Sequence, residues 1–387
     1  MPPLWRKSHR SMPIKYNCFM KILVTGGHLA PALAVIEEIE LTHKQSEIIF
    51  VGRKYALDSE KTISLEYKEI EKRKIKFIPL QAGRLTRIFS LKTIRNIFRI
   101  PLGFINGFFI IMNNKPKVIL SFGSYIALPI VFWGYIFRIP VYTHEQTINP
   151  GLANKIIGLF SKKIFVAFDE AKKCFNQKKI IISGNPVRKS IFLTKNKILY
   201  FIKDRPVLYV TGGSLGSHSI NLHIKKIIAK LLNYYIVIHQ AGDTKQYHDY
   251  EDLKIFREKL PKELKKRYFL KKHFFEEEIG FVYNQSDLVI GRSGANTFFE
   301  LIVLKKPALF IPLPWSSGRE QQRHAEIFAR AKTGEIFHQI EPSEKLYRLI
   351  KTMINNIDSY KNNFINLENF YKQDAGKIIV SYIFKNN

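Results

Sequence analysis

The sequence predicts an α/β protein of two doubly wound domains, each built on a parallel sheet, facing each other across a central cleft. Three observations carry this. The chain has 387 residues, more than one core usually serves. Two segments about half the chain apart share a pattern, KILVTGGHLAPALAVIEEI at 21–39 and VLYVTGGSLGSHSINLHI at 207–224. Each reads as a short buried strand, then Thr-Gly-Gly, then a turn opening an amphipathic helix. Further short apolar runs alternate with helical patterns, as in βαβ units whose sheets are covered on both faces.

In the first half the strands are expected at 47–51, 76–79, 118–122, 141–144 and 163–167. In the second half they fall at 235–240, 268–270, 288–291 and 308–312. A Gly-Asn-Pro turn at 184–186 marks the boundary, giving a first domain over 20–183 and a second over 184–387. Residues 1–19 read as an extension ahead of the first strand, and 343–387 as helical and polar.

Lys and Arg number 62 against 32 Asp and Glu, a formal net charge of +30. Such a surface attracts nucleic acid, acidic lipid or phosphorylated substrates. The joint richness in Lys, Ile, Phe and Asn accounts for the charge equally well as a compositional bias, so charge alone decides nothing. Cys18 and Cys174 are too few for a disulfide framework, and a reducing cytoplasmic setting is the default. No run of about 20 apolar residues is free of charge, and the first nineteen residues lack the apolar stretch of a signal peptide.

Doubly wound sheets bind ligands at the carboxyl ends of their strands, where helix N-termini attract phosphate. The turn 211–216, with Ser214 as a hydroxyl donor, suits an anion there. It lacks the Gly-Lys-Ser/Thr of a Walker loop and the GxGxxG fingerprint, and a tight connection would look similar. In SDLVIGRSGANTFFE (286–300) a strand, a small-residue turn and a helix place Glu300 in the second helical turn. A carboxylate there can accept from two vicinal ribose hydroxyls, and an ordinary solvated glutamate fits the spacing too. His28 follows the first Gly-Gly pair, where a neutral imidazole could serve as general base or simply cap or pack the helix. His144-Glu145-Gln146 ends a strand and should point into the cleft, without the HExxH spacing of a zinc site. From Arg84 to Met112, Arg84, Arg87, Lys92, Arg95 and Arg99 alternate with apolar residues, as on a surface dipping into an anionic membrane. A core helix with a solvated basic face is the other reading.

Seven motifs in one order resemble the MurG family of peptidoglycan N-acetylglucosaminyltransferases, glycosyltransferase family 28. They are TGGHLAPALAV (25–35), SFGSYIALP (121–129), HEQTINPGLANKII (144–157), GNPVR (184–188), TGGSLGSHSIN (211–221), SGANTFFE (293–300) and PALFIPLPWSSGREQQRHA (307–325). The resemblance implies the GT-B fold, two Rossmann-like domains with donor on the second and acceptor on the first. It implies inverting transfer of N-acetylglucosamine (GlcNAc) from UDP-GlcNAc to the 4-hydroxyl of the undecaprenyl-diphosphate-linked muramyl-peptide. It also implies a peripheral location at the cytoplasmic membrane face, without cofactor, metal or nucleic acid.

Position by position, the resemblance makes Thr25, Gly26 and Gly27 the first glycine loop and His28 the candidate base. Arg188 and Ser214 become nucleotide contacts, Ala295, Asn296 and Thr297 the helix start at the diphosphate, and Glu300 the ribose carboxylate. Gln321 with Gln322 becomes the donor-sugar contact, and Tyr125, His144, Glu145 and Thr147 become acceptor-side candidates. The chain departs from the family in three places. Its first loop is shorter than GGTGGH, Thr147 stands where Asn is common, and Leu215 with Ser217-His218 replaces the usual GGSQGA continuation. Competing readings are a GT-B transferase with another lipid acceptor, a basic nucleic-acid-binding protein, or a UDP-binding protein without activity.

Overall fold

The computed structural model describes residues 19–55, 63–83, 91–194, 203–213, 215–243, 246–372 and 374–387, with backbone only at 91–98 and 317. The extension 1–18, Arg84, Arg87 and Ser214 lie outside the described residues, as do the side chains of Lys92 and Arg95.

The first domain carries β1 (Lys21–Thr25), α1 (Leu29–Thr42), β2 (Glu47–Gly52), α2 (Leu65–Lys72), β3 (Lys76–Pro79), α3 (Leu91–Asn114) and β4 (Val118–Ser121). It continues with α4 (Ser124–Ile136), β5 (Val141–Glu145), α5 (Leu152–Phe160), β6 (Lys163–Val166) and β7 (Ile180–Ile182). Its seven parallel strands run in the order β3-β2-β1-β4-β5-β6-β7. The second domain carries β8 (Val207–Thr211), α6 (His218–Leu232), β9 (Ile236–Gln240), α7 (Asp249–Glu258), α8 (Lys262–Lys265), β10 (Tyr268–Lys271) and α9 (Glu276–Gln285). It adds β11 (Leu288–Gly291), α10 (Ala295–Leu304), β12 (Ala308–Phe310), α11 (Glu320–Arg330), β13 (Gly334–Ile336), α12 (Ser343–Asn355) and α13 (Ile357–Asn362). Here the order is β10-β9-β8-β11-β12-β13, again parallel. The short strands β7 and β13 are additions to the strands expected from sequence.

Both sheets reverse their strand order next to the first strand of the domain, at β1/β4 and at β8/β11. Register sets the carboxyl ends level there, with Thr25 opposite Val51 and Ser121, and Thr211 opposite Gln240 and Gly291. The two glycine turns and α10 therefore open at the crevice where such sheets hold ligands. Continuous apolar runs such as ILV in β1 and VLYV in β8 are buried because helices cover both faces.

One expectation is corrected. The last helix, α14 (Ala375–Lys385), is not polar and does not stay with the second domain. Its Ile379, Val380, Ile383 and Phe384 join the core built from β1 and α1, and Phe384 stacks on His43 with ring centroids 3.5 Å apart. The polar residues before AGKIIVSYIFK mask its apolar spacing in the sequence. The chain thus crosses between domains twice.

The first crossing is tied down at both sides. Gly280 on α9 has no side chain where the linker passes, since a Cβ there would lie 2.3 Å from the Ser190 carbonyl. Lys189 reaches back to the first domain, its backbone N–H donating to Glu37 at 3.0 Å and its Nζ to Glu38 at 2.8 Å. Arg73, capping α2, donates to Glu37 and Glu40 of α1 and, at 2.7 Å, to Glu276 of α9.

Candidate functional site

A cavity of about 400 Å³ opens between the domains, lined by Gly27, His28 and Glu66 on one side and by Arg188, Phe274 and Glu300 on the other. A second of about 690 Å³ adjoins it, lined by Gly212, Gly213, residues 215–219, Arg292, the start of α10, Gln321 and Gln146. Gly213, Leu215, Asn296 and Thr297 line both, so they form one cleft.

On the second domain the glycine turn is shaped by close approach. Gly216 has φ +79°, and a Cβ on it would lie 2.1 Å from the Ala241 carbonyl. That leaves the N-terminus of α6 facing the cleft beside that of α10, which Gly294 caps with extended backbone. Two helix N-termini supply unpaired N–H groups and partial positive charge for an anion. Arg292, which the sequence reading did not single out, adds a full charge. Its Nη2 donates to Ser217 and Ser219 and its Nη1 to the Ile311 carbonyl, and burial lowers it only to about 10. It stays cationic at neutral pH.

Glu300 is buried and held on both oxygens. Arg188 donates to Oε1 from Nη2 at 2.6 Å and from Nε at 3.1 Å, and Tyr283 donates to Oε2 at 2.9 Å. Burial alone would depress the Arg188 guanidinium, but the Glu300 charge outweighs it and the net shift is upward. Glu300 is thus no solvated helix glutamate. Ala295, Asn296 and Thr297 line the cleft as expected. Gln321 lines it too, with its amide oxygen fixed by the Leu313 N–H at 2.9 Å. Gln322 instead donates to Glu326 along α11 and lines neither cavity, because the next helical position faces away.

On the first domain His28 heads α1 without capping it through its side chain, which removes the capping reading. Its Nδ1 lies 2.5 Å from the Gln146 amide nitrogen, and burial lowers its pKa to about 4, so the ring is neutral near pH 7. The turn before it differs from expectation. Thr25 is fully buried at the strand end. Gly26 is covered by Glu66, whose Oε1 would lie 1.7 Å from a Cβ at that position. Glu66 Oε2 accepts from the Arg53 N–H at 3.0 Å, and burial raises the carboxyl above its ordinary value. Of the three turn residues, Gly27 alone lines the cleft. Sequence reasoning missed Glu66, since nothing in the motif marks a residue from α2 as the filler of a turn forty residues earlier.

The His144-Glu145 pair does not point into the cleft. Both are 1% exposed. His144 Nε2 donates to the Gly184 carbonyl at 3.1 Å, tying β5 to the linker. Glu145 accepts from the Thr147 N–H, the Thr147 hydroxyl and the Asn154 amide at 2.8, 2.7 and 2.6 Å, so it holds the loop and occupies Thr147. Of the three residues expected to point into the cleft from this strand end, Gln146 alone lines it. Tyr125 packs at the edge of the first domain's core and lines neither cavity.

Two family models match in chain order, the glycosyltransferase family 28 N-terminal domain over residues 23–166 and the glycosyltransferase family 28 C-terminal domain over 207–377. This chain belongs to glycosyltransferase family 28. Family 28 relatives named UDP-N-acetylglucosamine–N-acetylmuramyl-(pentapeptide) pyrophosphoryl-undecaprenol N-acetylglucosamine transferase align almost end to end. The one from Clostridium kluyveri is 32% identical over 376 residues, covering 94% of this chain and 99% of that protein. One from Bacillus cereus is 31% identical over 373 residues, with the same coverage. Among solved structures, Acinetobacter baumannii MurG matches with TM-score 0.65 at 20% identity, covering 95% of this chain and 99% of that one. A UDP-GlcNAc 2-epimerase from Neisseria meningitidis bound to UDP-GlcNAc matches with TM-score 0.63 at 15% identity, covering 95% and 100%. At these identities the structures speak for the shared two-domain fold.

Proposed function

We propose that this family 28 glycosyltransferase moves GlcNAc from UDP-GlcNAc to the 4-hydroxyl of a lipid-linked muramyl-pentapeptide, as its relatives are named for doing. The observation that carries the reading is the cleft itself. It places a half-buried neutral imidazole on one wall, and a buried carboxylate, two helix N-termini and Arg292 on the other.

The chemistry follows from that arrangement. Glu300 accepts from ribose hydroxyls, and the N-termini of α6 and α10 face the diphosphate. The acceptor hydroxyl gives its proton to His28 as its oxygen bonds to the anomeric carbon. The bond from that carbon to the β-phosphate oxygen breaks, and its electron pair leaves on UDP. Attack opposite the leaving group inverts the anomeric centre. Charge growing on the diphosphate is met by fixed N–H dipoles and Arg292, which need no reorganisation at that moment.

The acceptor is membrane-bound by its chemistry, and a docking face fits it. Leu102, Ile105, Phe109 and Met112 share one face of α3, each more than 40% exposed, beside exposed Tyr135, Ile136 and Phe137. No helix among the described residues is long and apolar enough to cross a membrane. A peripheral position on the cytoplasmic leaflet, where the nucleotide sugar is found, follows from this reading.

One observation favours a second acceptor. Glu66 occupies the shortened turn with its own carboxylate, so an acceptor phosphate meets a filled site there. Calorimetric titration with UDP-GlcNAc, with UDP-glucose as comparison, tests the donor half. Tighter binding of UDP-GlcNAc supports it, and no binding of either sinks it.

A further inference from the structure

The mechanism leaves one buried polar group unused, and it touches the candidate base. Gln146 follows β5, is 5% exposed, and places its Nε2 2.5 Å from His28 Nδ1. Its amide oxygen is buried with no hydrogen-bond partner among the described residues.

A neutral imidazole carries one proton, and the partner of one ring nitrogen decides where it sits. An amide N–H on Nδ1 requires a lone pair there, which puts the ring proton on Nε2. The outward nitrogen is then a donor and cannot accept a proton from a hydroxyl. A half-turn of the amide brings its oxygen to the ring instead. Nδ1 then carries the proton, Nε2 is bare, and the ring can act as base. Once the hydroxyl proton arrives, both ring nitrogens carry hydrogen, and only the amide oxygen can face Nδ1.

We propose that Gln146 is a positioning residue whose amide orientation selects the reactive tautomer of His28. The inference rests on His28 being the base. During transfer the acceptor proton passes to His28 Nε2, the hydroxyl oxygen bonds to the anomeric carbon, and the electron pair of the broken bond leaves on the diphosphate. Nδ1–H stays on Gln146 Oε1 throughout. The glutamine is neutral, so it orients the ring without holding it as imidazolium, as a carboxylate would. The other ionisable groups around the cavity that His28 lines are Arg53, Glu66, Lys68, Arg188, Tyr209, Asp243, His273, Tyr283 and Glu300, and the His144 ring on β5 also acts on His28.

The full chain in three forms, wild type, Q146L and Q146E, tests this. Q146L cannot accept from Nδ1–H and is expected to lower kcat on the order of 10–100-fold, as loss of an orienting partner does. Its KM for UDP-GlcNAc should stay within about twofold, which also shows that it folds. Q146E can only accept. It is expected to recover kcat at high pH, with the acid limb of the profile moved upward. The H28A/Q146L double variant should be no slower than H28A, since Gln146 acts through the ring.

Q146E as slow as Q146L at every pH, or losses that multiply in the double variant, would overturn the proposal. Nitrogen-15 spectra of the His28 ring separate the two layers. If H28A turns over normally while Q146E still moves the ring proton to Nδ1, the base assignment fails and tautomer control stands. If ring shifts in both variants match wild type, tautomer control fails.

Discussion

Arg188 and Glu300, 112 residues apart, meet inside the cleft, with two guanidinium nitrogens donating to the single oxygen Oε1. Tyr283 holds the other oxygen, so a carboxylate that lines the cleft also anchors the interdomain linker to α10. The proposed ribose contact and the domain geometry therefore share one group.

That sharing sets the first prediction. Glu300→Ala should weaken UDP by about 10–100-fold, the worth of one or two hydrogen bonds to a charged group. It also strands the buried Arg188 charge and should cost about 3–5 kcal/mol of stability. Glu300→Gln should do less of both. Calorimetric titration with UDP and urea unfolding check the two arms, and unchanged UDP affinity counts against the ribose role.

His28→Ala should cut turnover by roughly 10²–10⁴-fold, the usual contribution of general-base assistance. Affinity for UDP-GlcNAc should be nearly unchanged, because the residues proposed to hold the donor, Glu300, Arg292 and the starts of α6 and α10, lie on the other domain. Single-turnover kinetics with a binding titration check this, and normal turnover would remove His28 from the role.

Glu320 supplies a pH signature. Burial, and after it the charge of Glu145, pushes its carboxyl from 4.5 up to about 7. The folded form holds the proton more tightly than the unfolded one, so stability falls as pH rises from about 4.5 to 7 and the cost is complete above that. Glu320→Gln lacks the cost. Its stability advantage over wild type should be near zero at pH 4 and grow to roughly 2–3 kcal/mol by pH 8. Urea denaturation at the two pH values checks it, and an advantage independent of pH contradicts it.

Gly26→Ala forces a Cβ into the Glu66 carboxylate, and overpacking of this kind costs about 1–3 kcal/mol. Removing the carboxylate makes room, so Gly26→Ala/Glu66→Ala should cost less than the sum of its parts. A double-mutant cycle by thermal unfolding measures the coupling, and simple additivity would mean the contact is slack.

Leu102→Glu/Phe109→Glu should lower binding to anionic phosphatidylglycerol vesicles by about 10-fold or more, since each large apolar side chain buried is worth about 1.5–3 kcal/mol. UDP affinity should not move. Co-sedimentation measures the first and calorimetry the second, and undiminished vesicle binding would place the membrane face elsewhere.

Much of this architecture was legible in the residues. The two TGG turns fixed the starts of both domains because an apolar strand meeting a small-residue turn has few other solutions, and SGANTFFE located α10 and Glu300. The failures have physical causes. The end of a strand marks the edge of a cleft but not which side chains enter it, so of His144, Glu145 and Gln146 only Gln146 lines the cleft while the other two are buried in the domain. Glu66 and Arg292 escaped notice because their roles arise from contacts with distant turns. The helix α14 is hidden in the sequence because the polar stretch before it masks its apolar stripe.

The most direct test is transfer itself, with labelled UDP-GlcNAc, the purified chain, and the undecaprenyl-diphosphate muramyl-pentapeptide in vesicles. Label is expected in a lipid-linked disaccharide with inverted anomeric configuration, and is expected to be lost in His28→Ala. Bound UDP-GlcNAc with no label reaching that lipid, under conditions where another lipid accepts it, would contradict the acceptor assignment.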